Sequence, residues 1–133
     1  MPRYDARDFG PLPVDLINAT LGTDLEPGNA RLSARAHEHI ATDHPDDYAI
    51  CMGALAQAIA APSFIGQDPT HRANFVLVKR IGLEDGRAVL VAIGLEIDRH
   101  GFYAVRSSYL IPQRTIDARR QARRLFIVIP RID

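Results

Sequence analysis

Apolar residues recur at helical spacing in the first half of the chain and at the two-residue spacing of strands in the second. In VDLINATL, Val14, Ile17 and Leu21 share one side, which predicts a short helix, and Gly22 is placed to stop it. Ser33 suits the N-cap of a helix running to about Asp43, with Ala36, His39 and Ile40 at helical spacing. His44-Pro45 ends that helix, because a residue before proline avoids the α region. Asp46 or Asp47 can cap the next helix, which carries Tyr48, Ile50, Cys51, Leu55, Ala58 and Ile59 and closes at Pro62. Residues 1–12, broken by prolines and Gly10, read as an irregular lead-in, and residues 23–30 as a turn.

Beyond Gly66-Gln67-Asp68-Pro69 the period changes. NFVLVKRI (74–81) predicts a strand with Phe75, Leu77 and Lys79 on one face and Val76, Val78 and Arg80 on the other. Glu84-Asp85-Gly86 is a hairpin turn signal, and the mostly apolar RAVLVAIGLEI (87–97) predicts a central strand. A second turn at 98–101 leads to FYAVRSSYLI (102–111), which Pro112 ends. A polar, arginine-rich connection over 113–123 then precedes a fourth strand, RLFIVI (124–129). The expected fold is therefore α+β: a single domain over residues 1–133, with N-terminal helices followed by a four-stranded antiparallel β-sheet.

With 133 residues, 47% of them hydrophobic, the chain has material for one real core. Charged residues make up 24% and balance to zero net charge, as in globular domains. No apolar run approaches the roughly 20 residues that span a bilayer, and no membrane partner is expected. The first residues lack an apolar signal core, although a domain exported within a longer toxin would lack one too. The lone Cys51 allows neither an internal disulfide nor a multi-cysteine zinc site, and no cofactor is expected. The neutral total hides an asymmetry: residues 1–50 carry nine acidic and four basic side chains, whereas 101–133 carry seven arginines against Asp117 and Asp133. Guanidinium pairs bidentately with phosphate oxygens, so Arg119, Arg120 and Arg123, with Arg106 upstream, are candidates for holding a phosphate backbone; a solvated basic turn is the alternative.

Four groups of residues can carry chemistry. In His37-Glu38-His39-Ile40-Ala41-Thr42-Asp43-His44-Pro45 three of the five histidines lie at a helix and its end. This is not HExxH, since Ala41 stands where the second ligand would be. Histidine titrates near neutrality and suits acid–base work; surface histidines, or a zinc site with Asp43, are the other readings. On the third predicted strand, alternation puts Tyr103, Val105, Ser107 and Tyr109 on one face, with Arg106 and Ser108 on the other. Serines in an apolar strand bind substrate phosphate or are satisfied within the sheet. Lys79, the only lysine beside 15 arginines, is a candidate cation for a phosphorane or a solvent-facing strand lysine. The loop Phe64–His71, with Asn74 nearby, joins the helical half to the sheet; it overhangs a site there or is a plain turn.

Taken in order, LPVDLINATLG, LSARAHEHIATDHPDDY, IAAPSFIGQDPTHRANFVLV, VLVAIGLE and GFYAVRSSYLI resemble the phage-associated nucleases of the barnase–EndoU–colicin–RelE-like (BECR) superfamily, over roughly residues 12–127. The marks are HI-x3-HP (His39 to Pro45), the PxxIGQ stretch (Pro62 to Gln67) and V-x-S-x-Y (Val105, Ser107, Tyr109). The resemblance implies a metal-independent endoribonuclease, a phage or polymorphic-toxin effector that cleaves RNA by 2′-hydroxyl attack. His39 and His44 would supply acid and base, Ser107 and Tyr109 would bind the phosphate, and Lys79 and Arg106 would assist. It also implies RNA as partner, transfer RNA foremost by analogy, and an immunity protein or antitoxin. Action would be cytoplasmic, with delivery in a phage or secreted toxin. A non-catalytic RNA- or protein-binding module of the same fold, and a metal-dependent hydrolase built on the histidines, are the competing expectations.

Overall fold

The computed structural model describes residues 4–128. Seven strands run in chain order as β1 (Arg7–Pro11), β2 (Asn29–Leu32), β3 (Phe64–Gln67), β4 (Asn74–Arg80), β5 (Ala88–Ile97), β6 (Phe102–Ile111) and β7 (Leu125–Ile127). Four helices accompany them: α1 (Val14–Leu21), α2 (Ala34–Asp43), α3 (Tyr48–Ala60) and α4 (Gln113–Gln121). All strands join one sheet in the order β1-β2-β6-β5-β4-β3-β7. The β2–β6 pair is parallel and the other pairs are antiparallel. None of the described helices is long and apolar enough to cross a membrane.

The class α+β stands, but the expected four-stranded antiparallel sheet behind N-terminal helices does not: the sheet is mixed and has seven strands. The central β4–β5–β6 meander lies where the alternation placed it. The added strands are short: β1 has five residues, and β2 and β3 have four each. Residues 7–11 of the expected irregular lead-in form β1, which carries one large apolar side chain, Phe9. Residues 29–32, half in the expected turn, form β2 and bury Ala30 and Leu32. In β3, Gly66 reads as a turn residue, yet it sits where the neighbouring chain passes close: an added Cβ would run into the Arg124 carbonyl. The polar connection at 113–123 contains α4, whose one fully buried side chain is Ile116. The fourth predicted strand survives as β7, and its final position at 129 lies outside the described residues.

The sheet has two unequal faces. On one, Ile17, Ile40, Leu55 and Ile59 from α1, α2 and α3 pack on Phe75, Leu77, Val89, Val91, Ile93, Tyr103 and Val105. Each fully buried Leu, Ile or Phe contributes about 1.5–3 kcal/mol, so this layer dominates stability. On the other face Ile116 of α4 covers a smaller patch of Val76, Val78, Leu90 and Ile111. Part of that face, around Ala92, Ser107 and Tyr109, is left to line an open cavity.

A bulge in β6 decides which side chains reach that cavity. Ile93 pairs with Val105 and Ala92 with Ser107, so Arg106 is an extra residue without a partner of its own. The expected alternation over 103–109 is thereby corrected. Tyr103 and Val105 join the helix-side core, whereas Ser107 and Tyr109 turn to the opposite face. Ser108 is the buried serine, and its Oγ donates to the Leu90 carbonyl at 2.9 Å.

Candidate active site

The cavity has a volume of about 510 Å³, within the usual range for small-ligand sites. Its floor is sheet: Ala92 of β5, and Arg106, Ser107 and Tyr109 of β6. One wall is His44, and the other is the loop between β3 and β4, with Asp68, Thr70, His71 and Asn74. Arg106 lies against β5 because residue 94 is glycine; a Cβ there would stand 3.3 Å from the Arg106 Nε.

His44 is held by helix termination and by a strand-edge contact. It is the C-cap of α2, its N–H donating to the Ile40 carbonyl at 3.0 Å, and Pro45 prevents continuation. Past the short β2, the upper half of β6 lacks a strand on its outer side. Asp47 fills part of that gap: its Oδ2 accepts the Leu110 N–H at 3.0 Å. The Asp47 N–H in turn donates to the His44 carbonyl at 3.1 Å. The turn is thus tied to β6 beside Tyr109, whose ring centroid lies 4.8 Å from that of His44.

The opposite wall is folded by one carboxylate. Asp68 Oδ1 accepts the N–H groups of Thr70 (2.9 Å) and His71 (3.1 Å), an Asx turn. Its Oδ2 accepts from Asn74 Nδ2 at 3.5 Å. The Leu95 N–H donates to the Ala73 carbonyl at 2.8 Å and fixes the far end of the loop on β5. These bonds place His71 on the cavity rim.

Of the residues singled out from sequence, His44, Arg106, Ser107 and Tyr109 come together here. His39 does not: it is exposed on α2, with Nδ1 4.0 Å from Asp43 Oδ2. Lys79 lies at the end of β4, where its Nζ donates to the Ala61 carbonyl at 2.7 Å, and it lines a different depression with Pro62 and Ser63. Arg119 faces a groove along α4, Arg120 lies over the Phe64 ring at 5.5 Å, and Arg123 occupies the turn after α4 with φ 56°. The third histidine of the cluster, His37, is buried and structural. Its Nδ1 donates to the Asp5 carbonyl (2.8 Å), and its Nε2 is hydrogen-bonded to the Tyr48 hydroxyl (2.6 Å).

Sequence reasoning did not select His71. Its signal was the Asp68-Pro69-Thr70-His71 turn in a loop that overhangs the sheet. Among the described residues no three His, Cys, Asp or Glu side chains are gathered as a metal site would require. Cys51, on the buried side of α3, lies outside the cavity, and burial pushes its thiol pKa up despite a hydrogen bond with Ser108. No protein-family model, curated protein or solved structure matches this chain.

Chemically, the cavity offers two imidazoles, one guanidinium and two hydroxyls around an open space. That set can move two protons and hold an anion between them.

Proposed function

We propose that the chain is a metal-independent endoribonuclease. The observation that carries this reading is the convergence of His44, His71, Arg106, Ser107 and Tyr109 on one cavity from three separate parts of the sequence. The local resemblance to BECR nucleases supports it through the residues of the cavity, not through the sheet architecture.

In the proposed reaction one of the two imidazoles takes the proton of the RNA 2′-hydroxyl as O2′ bonds to phosphorus. The P–O5′ bond breaks, and the other histidine, entering as imidazolium, protonates the departing O5′. One ring gains a proton and the other loses one, leaving a 2′,3′-cyclic phosphate and a 5′-hydroxyl. Arg106 binds the non-bridging oxygens, and the Ser107 and Tyr109 hydroxyls donate to charge that builds in the phosphorane. DNA lacks the nucleophile and is spared. By the same resemblance, transfer RNA is the proposed target and an immunity protein or antitoxin the proposed protein partner, with cytoplasmic action after phage or toxin delivery.

The test is the pH dependence of cleavage. An acid–base histidine pair gives a bell-shaped profile of kcat/KM. His44→Ala and His71→Ala should each remove one limb and lower the rate by about 10²–10⁴. A substrate whose O5′ is replaced by sulfur needs no acid and should rescue only one of the two variants. Wild-type rates in both variants would refute the proposal.

A further inference from the structure

The catalytic cavity is the end of a connected series of depressions around the loop at 68–72. Asp68 and Asn74 also line a neighbouring cavity of about 460 Å³, together with Arg72 and Arg124. Pro69 and Arg124 in turn line a third, along α4, with Arg114, Thr115, Ala118, Arg119 and Ala122. Residues 114, 118 and 122 are spaced four apart, as are 115 and 119, so they form one stripe of the helix. Ile116 points the other way into the core. Ala118 and Ala122 leave a low floor on that stripe, and Arg114, Arg119 and Arg124 stand around it.

The charge along this path is one-sided. Four guanidiniums, Arg72, Arg124, Arg114 and Arg119, line the second and third depressions against one carboxylate, Asp68, already committed to the turn. Among the described residues none of the four lies within 4.0 Å of a carboxylate, unlike Arg31 and Arg87. Arg119 carries the more telling feature: its Nη1 is buried from solvent and has no hydrogen-bond partner among the described residues. A buried charged donor without an acceptor is costly, and a bound anion removes that cost. The favourable placement of Arg119 in the last turn of α4 accounts for its charge but not for its unpaired nitrogen.

We propose that the α4 groove is a second phosphate subsite for the same strand that enters the catalytic cavity. The substrate is then a single-stranded polynucleotide several phosphates long, not a dinucleotide or a cyclic mononucleotide. This rests on the ribonuclease reading for its substrate, but the groove can be tested without catalysis.

The experiment measures binding of a labelled single-stranded oligodeoxynucleotide of about 12 nucleotides, which this mechanism cannot cut, by anisotropy across a salt series. For single strands, log K falls with log salt at about −0.7 per phosphate neutralised. Arg114→Ala/Arg119→Ala removes one phosphate site and should therefore make the slope shallower by about 0.7, with Arg35→Ala, exposed on α2, as the unaffected control. The same double variant should reduce the preference for a long oligoribonucleotide over a dinucleotide at least about tenfold, equivalent to one lost phosphate contact of moderate strength. Unchanged slope and unchanged length preference would overturn the subsite. A wild-type protein that cleaves neither ribonucleotide fails the ribonuclease reading alone, and the salt slope still decides the groove.

Discussion

Replacing Asp47 by alanine removes the acceptor that holds the α2–α3 turn against the outer edge of β6. The lost bond, Leu110 N–H to Asp47 Oδ2 at 3.0 Å, involves a charged acceptor whose side chain is 22% exposed. Such bonds contribute about 1.5–3 kcal/mol when largely shielded from water. The second partner, Arg87, stands 4.0 Å away with a side chain 40% exposed, and it adds little. Asp47→Ala should thus lose about 1.5–3 kcal/mol, and Asp47→Asn, which keeps a neutral acceptor, about half of that. At about 4 °C per kcal/mol for a domain of this size, the alanine variant should melt about 6–12 °C lower. Denaturant titration gives the free energy directly. A second readout separates anchoring from general stability: ring-current shifts of the His44 protons, produced by Tyr109 at 4.8 Å, should collapse in Asp47→Ala and persist in Asp47→Asn. An alanine variant within 0.5 kcal/mol of wild type, on the scale of an inconsequential surface change, would refute the reasoning.

Further outcomes follow from other contacts. Gly94→Ala should displace the Arg106 guanidinium, 3.3 Å from the new Cβ, and lower RNA cleavage about tenfold or more with little loss of stability; paired kinetics and melting separate the two. Gly66→Ala drives a methyl into the Arg124 carbonyl and should cost about 3 kcal/mol by denaturant titration, with loss of amide protection at the β3–β7 pairing. Burial raises the Cys51 thiol, so the folded state keeps its proton where the unfolded state has lost it. Stability should be unaffected at neutral pH and fall as pH rises past the ordinary thiol value, about 8.5, and Cys51→Ala should flatten that fall.

The sheet and the site were legible to different depths. Long apolar strands such as 74–80 and 88–97 announce themselves, because each buries side chains on both faces. β1, β2 and β3 have four or five residues each, too few for a period to emerge, and their partners lie far along the chain. α4 is hidden because burying Ile116 alone leaves a helix that reads as polar. For the site, Ser107 and Tyr109 were paired correctly with each other but on the wrong face, because the extra residue at Arg106 is invisible in the alternation. His44 was legible from the proline that follows it. His71 was not, since its position depends on Asp68 folding the loop over a sheet face that α4 leaves uncovered.

The most direct test of the central claim is incubation of the purified protein with total RNA and transfer RNA in excess EDTA, with end-group determination on the fragments. The account predicts discrete fragments ending in 2′,3′-cyclic phosphate and beginning with 5′-hydroxyl, absent with His44→Ala and with His71→Ala. Intact RNA from several sources, together with normal growth of cells expressing the protein, would contradict it.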